Sequence, residues 1–262
     1  MKQLLLAFQF LTIIPVRTNM TISETDIAKS SSAFVIVGII QGILLISVNS
    51  AAGMVFDRNL VTGLILLVLV LSQGGFHLDG LADTFDAIAV RGDKEKKLSV
   101  MKDSAVGPIG AIAIFFSLLL KFFALNNLNA FSPHAFYFSL FLMPIFSKWA
   151  LVVSIFHGKP ARKNGLGRIF INRIGFKEVA ISTLLLLFSC ISVQIFFDDY
   201  MLYRQYILYV ILVILTYLLC MICIWFFNNK FGGLTGDMLG AISEITEITF
   251  LLMVIAWSQF SI

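Results

Sequence analysis

The sequence predicts an all-α fold: a polytopic transmembrane bundle of about seven spans, preceded by a short interfacial or re-entrant helix. Three observations predict it. The 262 residues are 59% hydrophobic and 13% charged, against the roughly 25% charged of an average soluble domain. With a mean hydropathy of +0.94 and 26 phenylalanines against 15 acidic residues, there is too little polar surface to coat a water-soluble body. Seven apolar runs approach the roughly 20 residues that a helix needs to cross a bilayer core about 30 Å thick. Lysine and arginine, finally, crowd alternate loops, as the positive-inside rule requires.

The elements follow in order. Met1 to Val16 is apolar and ends at Pro15, with one basic residue, Lys2, ahead of it. It resembles a signal peptide but lacks a small-residue cleavage site around Thr12 to Arg17, so it is expected to stay in the mature chain as the interfacial or re-entrant helix. The spans are expected at 33–56, 60–76, 108–126, 134–156, 179–197, 205–227 and 238–260, the second short and the seventh polar. Arg91, Lys94, Lys96, Lys97 and Lys102 follow the second span, and Lys159, Arg162, Lys163, Arg168, Arg173 and Lys177 follow the fourth. The intervening loops are almost bare of positive charge, which puts Arg17 to Ser32 and the two basic loops on the cytoplasmic side. No repeat or linker divides the chain, so residues 1–262 read as one membrane domain.

Two function classes drop out early. A net charge of +4 from 19 basic residues offers no clustered, soluble phosphate-tracking face, which argues against nucleic-acid binding. Cys190, Cys220 and Cys223 all lie in apolar runs, so the Cys-x-x-Cys spacing reads as buried thiols rather than a zinc site.

Ionisable residues near or inside apolar spans are costly, and they are the functional candidates. They form three groups, all on the cytoplasmic side. In His77-Leu78-Asp79-Gly80-Leu81-Ala82-Asp83-Thr84-Phe85-Asp86 the aspartates fall at i, i+4 and i+7, one face of a helix turning about 100° per residue. No lysine or arginine is interleaved, so three mutually repelling carboxylates call for a cation. Mg²⁺ prefers oxygen ligands and commonly bridges carboxylates to substrate phosphates. His77 lies roughly 200° round the helix from Asp79 and reads equally as a hydrogen-bonded interfacial residue or a catalytic one.

In the second group, Lys102-Asp103-Ser104 with Pro108 precedes the third span. Asp103 or Ser104 suits a helix cap. The same helix start, with Lys102 beside it, suits a phosphate, with Asp103 completing a metal shell. The third group is Gly232-Gly233-Leu234-Thr235-Gly236-Asp237, followed by Glu244 and Glu247. Its glycines permit close approach to a phosphate. Asp237 and Glu244, at i and i+7 of an apolar span, need a metal, a base or a proton as compensation. Two acidic helix faces side by side would make a four- to six-oxygen cage. The basic loop from His157 to Glu178 suits nucleotide phosphates through Arg162, Lys163, Arg168 or Arg173.

These blocks, together with the opening Phe10-Leu11-Thr12-x-x-Pro15-Val16, resemble the signatures of the cobalamin synthase family and run in the same order along nearly the whole chain. The resemblance implies a polytopic, Mg²⁺-dependent adenosylcobinamide-GDP ribazoletransferase of the bacterial plasma membrane, its active-site loops cytoplasmic. Such an enzyme joins α-ribazole or its 5′-phosphate to adenosylcobinamide-GDP and releases GMP. It further implies Asp79, Asp83, Asp86 and Asp237 as catalytic residues, and Lys102, Ser104, Gly233, Thr235 and Gly236 as substrate-binding ones. Asp79, Asp83, Asp86, Asp103, Asp237 and Glu244 are the implied Mg²⁺ ligands. The lipid bilayer and the two small molecules are the expected partners, and self-association is left open. Three positions depart from the family: Ile13 and Ala105 stand where basic residues are usual, and Ala87 where glycine is.

Competing readings are a prenyltransferase, a CDP-alcohol phosphotransferase, and a transporter using Asp237 and Glu244 for protons or cations. The second would need an aspartate at Phe76 and an arginine at Asp83. The third lacks an inverted repeat.

Overall fold

A computed structural model describes residues 1–15, 21–103, 105–197 and 202–259. The helices in chain order are α1 (Lys2–Leu11), α2 (Glu24–Lys29), a 3₁₀ turn (Ser30–Ala33) and α3 (Phe34–Ala52). They continue with α4 (Arg58–Ser72), α5 (Phe76–Ala89), α6 (Lys94–Val100), α7 (Pro108–Phe131) and α8 (Pro133–His157). The last four are α9 (Leu166–Phe170), α10 (Phe176–Phe197), α11 (Leu202–Phe231) and α12 (Gly236–Gln259). Among the described residues six segments are long and apolar enough to cross a membrane: α2 through α3 taken together, α7, α8, α10, α11 and α12. Among the described residues the only β-type pairing is an isolated parallel bridge between Pro160 and Leu234.

The expected spans are found, with one change. The second, expected over 60–76, ends at Ser72 after 15 residues, about 22 Å at 1.5 Å per residue and short of the core thickness. Gly74 and Gly75, both with positive φ, turn the chain by 85° into α5. Such a turn is open to glycine because it has no β-carbon to clash. The aspartate helix therefore leaves the line of the span and lies across its end.

Helix starts follow local chemistry. Asp57 accepts from Asn59 N at 2.9 Å at the start of α4, Asp93 accepts from Lys96 N at 2.9 Å in α6, and Ser132 caps α8. Each satisfies an amide that the helix itself leaves free. The short α1 docks on α2 and α3 through Leu6, Ala7 and Leu11. Lys2 ties its start to Asp26 at 2.7 Å, and Ile13 N donates to Ser72 O at 3.1 Å near its end.

α8 is the axle, buried along nearly its whole length and packed against α3, α7, α10, α11 and α12. Its closest neighbour is α3, where a β-carbon on Gly42 would stand 2.5 Å from Phe141 O. Close backbone approach of this kind is how helices associate where lipid competes with apolar side chains. Cys220 and Cys190 are buried free thiols, Cys223 is partly buried, and Cys220 Sγ lies 3.7 Å from Ala150 O of α8.

The interior is not wholly apolar. Lys121 of α7 bridges Glu244, at 2.7 Å, and Glu247, both on α12. Ser117 donates to Glu244 at 2.8 Å and Gln73 to Glu247 at 3.4 Å. Glu244 was expected as a metal ligand; instead its charge is taken up by Lys121 inside the bundle, away from the aspartates. The same ion pair engages one of the two acids, Glu244, on which the transporter reading rested. Lys148 of α8 is also fully buried.

Removing one partner of a buried ion pair strands the other, at a cost of about 3–5 kcal/mol. Lys121→Met is therefore expected to lower the thermal midpoint of the detergent-solubilised protein by that order. Lys121→Met combined with Glu244→Gln, which restores the charge balance, should recover at least half the loss. Equal midpoints for the single and double variants would remove the charge argument.

Candidate functional site

Three segments that are distant in sequence meet at one end of the bundle: α5, the loop 158–165 and the start of α12. α5 packs lengthwise on α12. A β-carbon on Gly80 would come within 2.6 Å of Asp237 O, so the glycine inside the aspartate motif is what lets the two acidic helices touch. The loop is fixed by backbone pairing, Leu234 N donating to Lys159 O at 2.7 Å and Ala161 N to Leu234 O at 2.9 Å. Gly233, expected to face a phosphate, is spent on this pairing, since a β-carbon there would meet Lys159 O at 2.5 Å.

The result is a cleft of 410 Å³ whose wall includes Asp79, Asp237, Gly236, Arg162 and His77. Its other side is apolar, with Phe10, Phe34, Phe76, Leu151 and Ile155. Carboxylates from two helices thus face one guanidinium. Thr235 caps α12 by accepting from Met238 N at 3.3 Å and also donates to Asp237 Oδ2 at 3.3 Å. His77 is buried, with its Nδ1 3.0 Å from Ser243 Oγ, and Ser243 is in turn 2.5 Å from Ser147 Oγ. It is thus a hydrogen-bonded residue that also lines the cleft.

The three aspartates of α5 have separate surroundings. Asp79 is exposed at the cleft. Asp83 is half-buried, and burial, reinforced by the charges of Asp79, Asp237 and Asp86, raises its carboxyl to about 6 against the pull of Arg162. Asp86 accepts from Gly107 N at 2.7 Å and Gly110 N at 2.8 Å. It caps α7 from outside the helix, where free amides and the helix dipole favour an anion.

That bond corrects two expectations. Asp86, and not Asp103, caps α7. Asp103 is exposed and accepts from Ala105 N at 3.3 Å, a local turn typical of aspartate, and Ser104 lies outside the described residues. The α7 amides expected to hold a phosphate are occupied by Asp86.

Among the described residues, no three Asp, Glu, His or Cys side chains converge closely enough to enclose an ion. The closed cage expected of Asp79, Asp83, Asp86, Asp103, Asp237 and Glu244 does not form, because Asp86 and Glu244 are bonded elsewhere and Asp103 sits out in a loop. Mg²⁺ needs no such cage, since one or two carboxylates suffice when waters and substrate phosphates complete the shell. Asp79 and Asp83, one turn apart with Asp237 across the cleft, fit that open arrangement.

Of the basic loop residues, Arg162 is at the cleft and donates to Leu98 O of α6 at 2.5 Å. Lys163 and Lys102 line an adjoining cleft of 500 Å³ that Arg162 also borders. Arg173 pairs with Glu24 at 3.2 Å, and Arg168 is exposed. Sequence reasoning did not place α1 at the site, although Phe10 belongs to a recognised block. It also passed over the intramembrane Lys121 and Lys148, whose signal was their position inside two apolar runs.

Comparison with known proteins follows the same blocks. The family described as cobalamin-5-phosphate synthase matches residues 3–255. Adenosylcobinamide-GDP ribazoletransferase of Thermodesulfovibrio yellowstonii is 32% identical over 257 residues, covering 96% of this chain and 95% of that one. The protein of the same name from Clostridium tetani is 33% identical over 259 residues, covering 96% and 95%. That from Fusobacterium nucleatum is 33% identical over 278 residues and covers 100% of both chains. No solved structure matches.

Two outcomes follow. Asp86→Ala should cost about 1–3 kcal/mol of stability by leaving the α7 amides unsatisfied, whereas Asp79→Ala, at an exposed position, should stay within about 0.5 kcal/mol; thermal midpoints in detergent decide. Because the Asp83 carboxyl is raised, its ionised form opposes folding above pH about 6, and that penalty fades as the pH falls toward 4. The thermal midpoint of wild type relative to Asp83→Asn should therefore rise between pH about 7 and 5 in the absence of divalent cations, and a flat difference would contradict the crowding of the carboxylates.

Proposed function

The chain belongs to the cobalamin-5-phosphate synthase family, and on that premise we propose that it is the ribazoletransferase that completes the nucleotide loop of cobalamin. It joins α-ribazole, or its 5′-phosphate, to adenosylcobinamide-GDP and releases GMP. The observation that carries the reading to this chain's own residues is the cleft in which Asp79 and Asp237, from two helices, face Arg162.

A ribose hydroxyl that the 5′-phosphate leaves free, and so one present in both forms of α-ribazole, attacks the phosphorus that bears cobinamide. The new oxygen–phosphorus bond forms as the bond to the bridging oxygen breaks, and GMP leaves with that electron pair. Arg162 holds the diphosphate and meets the negative charge that grows on the departing phosphate. Asp237, at the cleft wall, receives the hydroxyl proton; Asp86 is unsuited to this because both its oxygens accept α7 amides. Asp79 and Asp83 would hold Mg²⁺, which when bound supplies Lewis-acid neutralisation of the diphosphate. Thr235 orients Asp237, and the phenylalanines and Leu151 exclude water from one side of the reacting group.

The setting is the bacterial plasma membrane with the site facing the cytoplasm. The support is that both basic loops lie at the site's end of the bundle, while the far end is closed by neutral contacts such as Thr62 to Asn126 at 2.9 Å and Asn49 to Tyr137 at 3.1 Å.

Membranes containing the protein, given adenosylcobinamide-GDP and α-ribazole, should yield cobalamin and GMP with Mg²⁺ and neither with EDTA. Asp83→Asn should remain inserted and lose at least about 100-fold in turnover. Unchanged turnover in Asp83→Asn would remove the aspartate helix from the mechanism.

A further inference from the structure

Two clefts share the Arg162 side chain, and their linings differ in chemistry. The first is walled by Phe10, Phe34 and Phe76, with the Phe10 and Phe34 rings nearly parallel at 5.9 Å between centroids. The second carries no aromatic ring but has Glu95, Lys102, Lys163 and Asn164, beside Leu98 and Ser99 of α6. At 410 and 500 Å³, each falls within the roughly 300–1,000 Å³ of small-molecule sites. Arg162 is fixed between them by its bond to Leu98 O, and its Nε is buried with no hydrogen-bond partner among the described residues. The guanidinium therefore keeps hydrogen-bonding capacity that the described residues do not use.

We infer that the two clefts divide the substrates across Arg162: the phenylalanine cleft takes the flat, alkylated base of α-ribazole, and the cleft of Glu95 and the two lysines takes the guanosine monophosphate that leaves. This rests on the reaction proposed above and adds to it where each nucleoside sits. A dimethylated benzimidazole carries no hydrogen-bond donor on its rings and is held by stacking and apolar contact. Guanine presents an N–H and an NH₂ side by side on one edge, which a carboxylate such as Glu95 accepts in pairs, as it does from other forked donors. Lys102 and Lys163 meet the phosphate oxygens. The arrangement also satisfies the stereochemistry of displacement. Nucleophile and leaving group must approach and depart on opposite sides of the phosphorus, and two separate clefts that meet at Arg162 give each its own place.

The test uses the full-length protein in lipid nanodiscs and measures equilibrium binding of GMP and of α-ribazole separately, alongside cobalamin synthesis. Lys102→Ala with Lys163→Ala should weaken GMP at least tenfold and leave α-ribazole within twofold. Phe76→Ala, at an exposed ring of the other cleft, should do the reverse. Glu95→Gln should shrink the preference for GMP over inosine monophosphate, which lacks the amino group. The inference is overturned if wild type makes cobalamin yet binds no GMP, if the lysine pair leaves GMP binding unchanged, or if both ligands weaken together in either variant. A protein that shows the crossed pattern but makes no cobalamin would overturn the reaction and keep the two clefts. One that makes cobalamin without the pattern would do the opposite.

Discussion

Lys121 lies midway along α7 and gives its ammonium to two carboxylates of α12, so that three charges are buried in the middle of a membrane-spanning bundle. Burial leaves them little but one another for compensation, and the buried Lys148 of α8, which acts on both glutamates, supplies the second positive charge that balances the group. The requirement is directional as well as energetic. It fixes the rotation of α7 against α12, and α5 packs on both of these helices. The angle at which the aspartates meet Asp237 is therefore set by charges well below them. Gln73, at the end of α4, joins the same network through Glu247 and anchors the turn from which α5 departs.

Above this ion pair the site is built by economical use of small residues. Gly80 lets an acidic helix lie against another acidic helix, which two like-charged surfaces would otherwise resist. The repulsion is relieved in three ways: Asp86 turns to the positive end of α7, Arg162 stands opposite Asp237, and Asp83 holds its proton more tightly than a free carboxyl. The remaining pair, Asp79 and Asp83, makes no ion pair among the described residues beyond the more distant pull of Arg162. A diphosphate arriving with a divalent cation would complete the balance.

Much of this was legible in the sequence, and the parts that were not have a common cause. The span positions followed from hydropathy and length alone, because a bilayer imposes both. The acidic motifs stood out because charge is rare in such a chain. What the sequence does not carry is pairing between segments. Asp86 has the same spacing as Asp79 and Asp83 but a different partner, one located on α7. Glu244 looked like a ligand because Lys121 was not weighed as its counterion, although a lysine at that depth needs a partner as much as a glutamate does. Gly233 looked like a phosphate contact and is a contact with the backbone of another loop. The second span read as continuous because Gly74 and Gly75 sit between apolar residues, and only their backbone angles reveal the corner.

The bridge between Pro160 and Leu234 is made by main-chain atoms on both sides. Hydrogen bonds of that kind depend little on which side chains flank them, so the base of the loop is held independently of the residues at its tip. Anchorage and recognition are thereby uncoupled within a few residues. Lys163 and Asn164 can be exchanged without disturbing the strut that carries Arg162, which makes the tip a natural place for graft experiments. A transferase that expels a different nucleotide could be sought there, with the aspartates and the bundle left untouched.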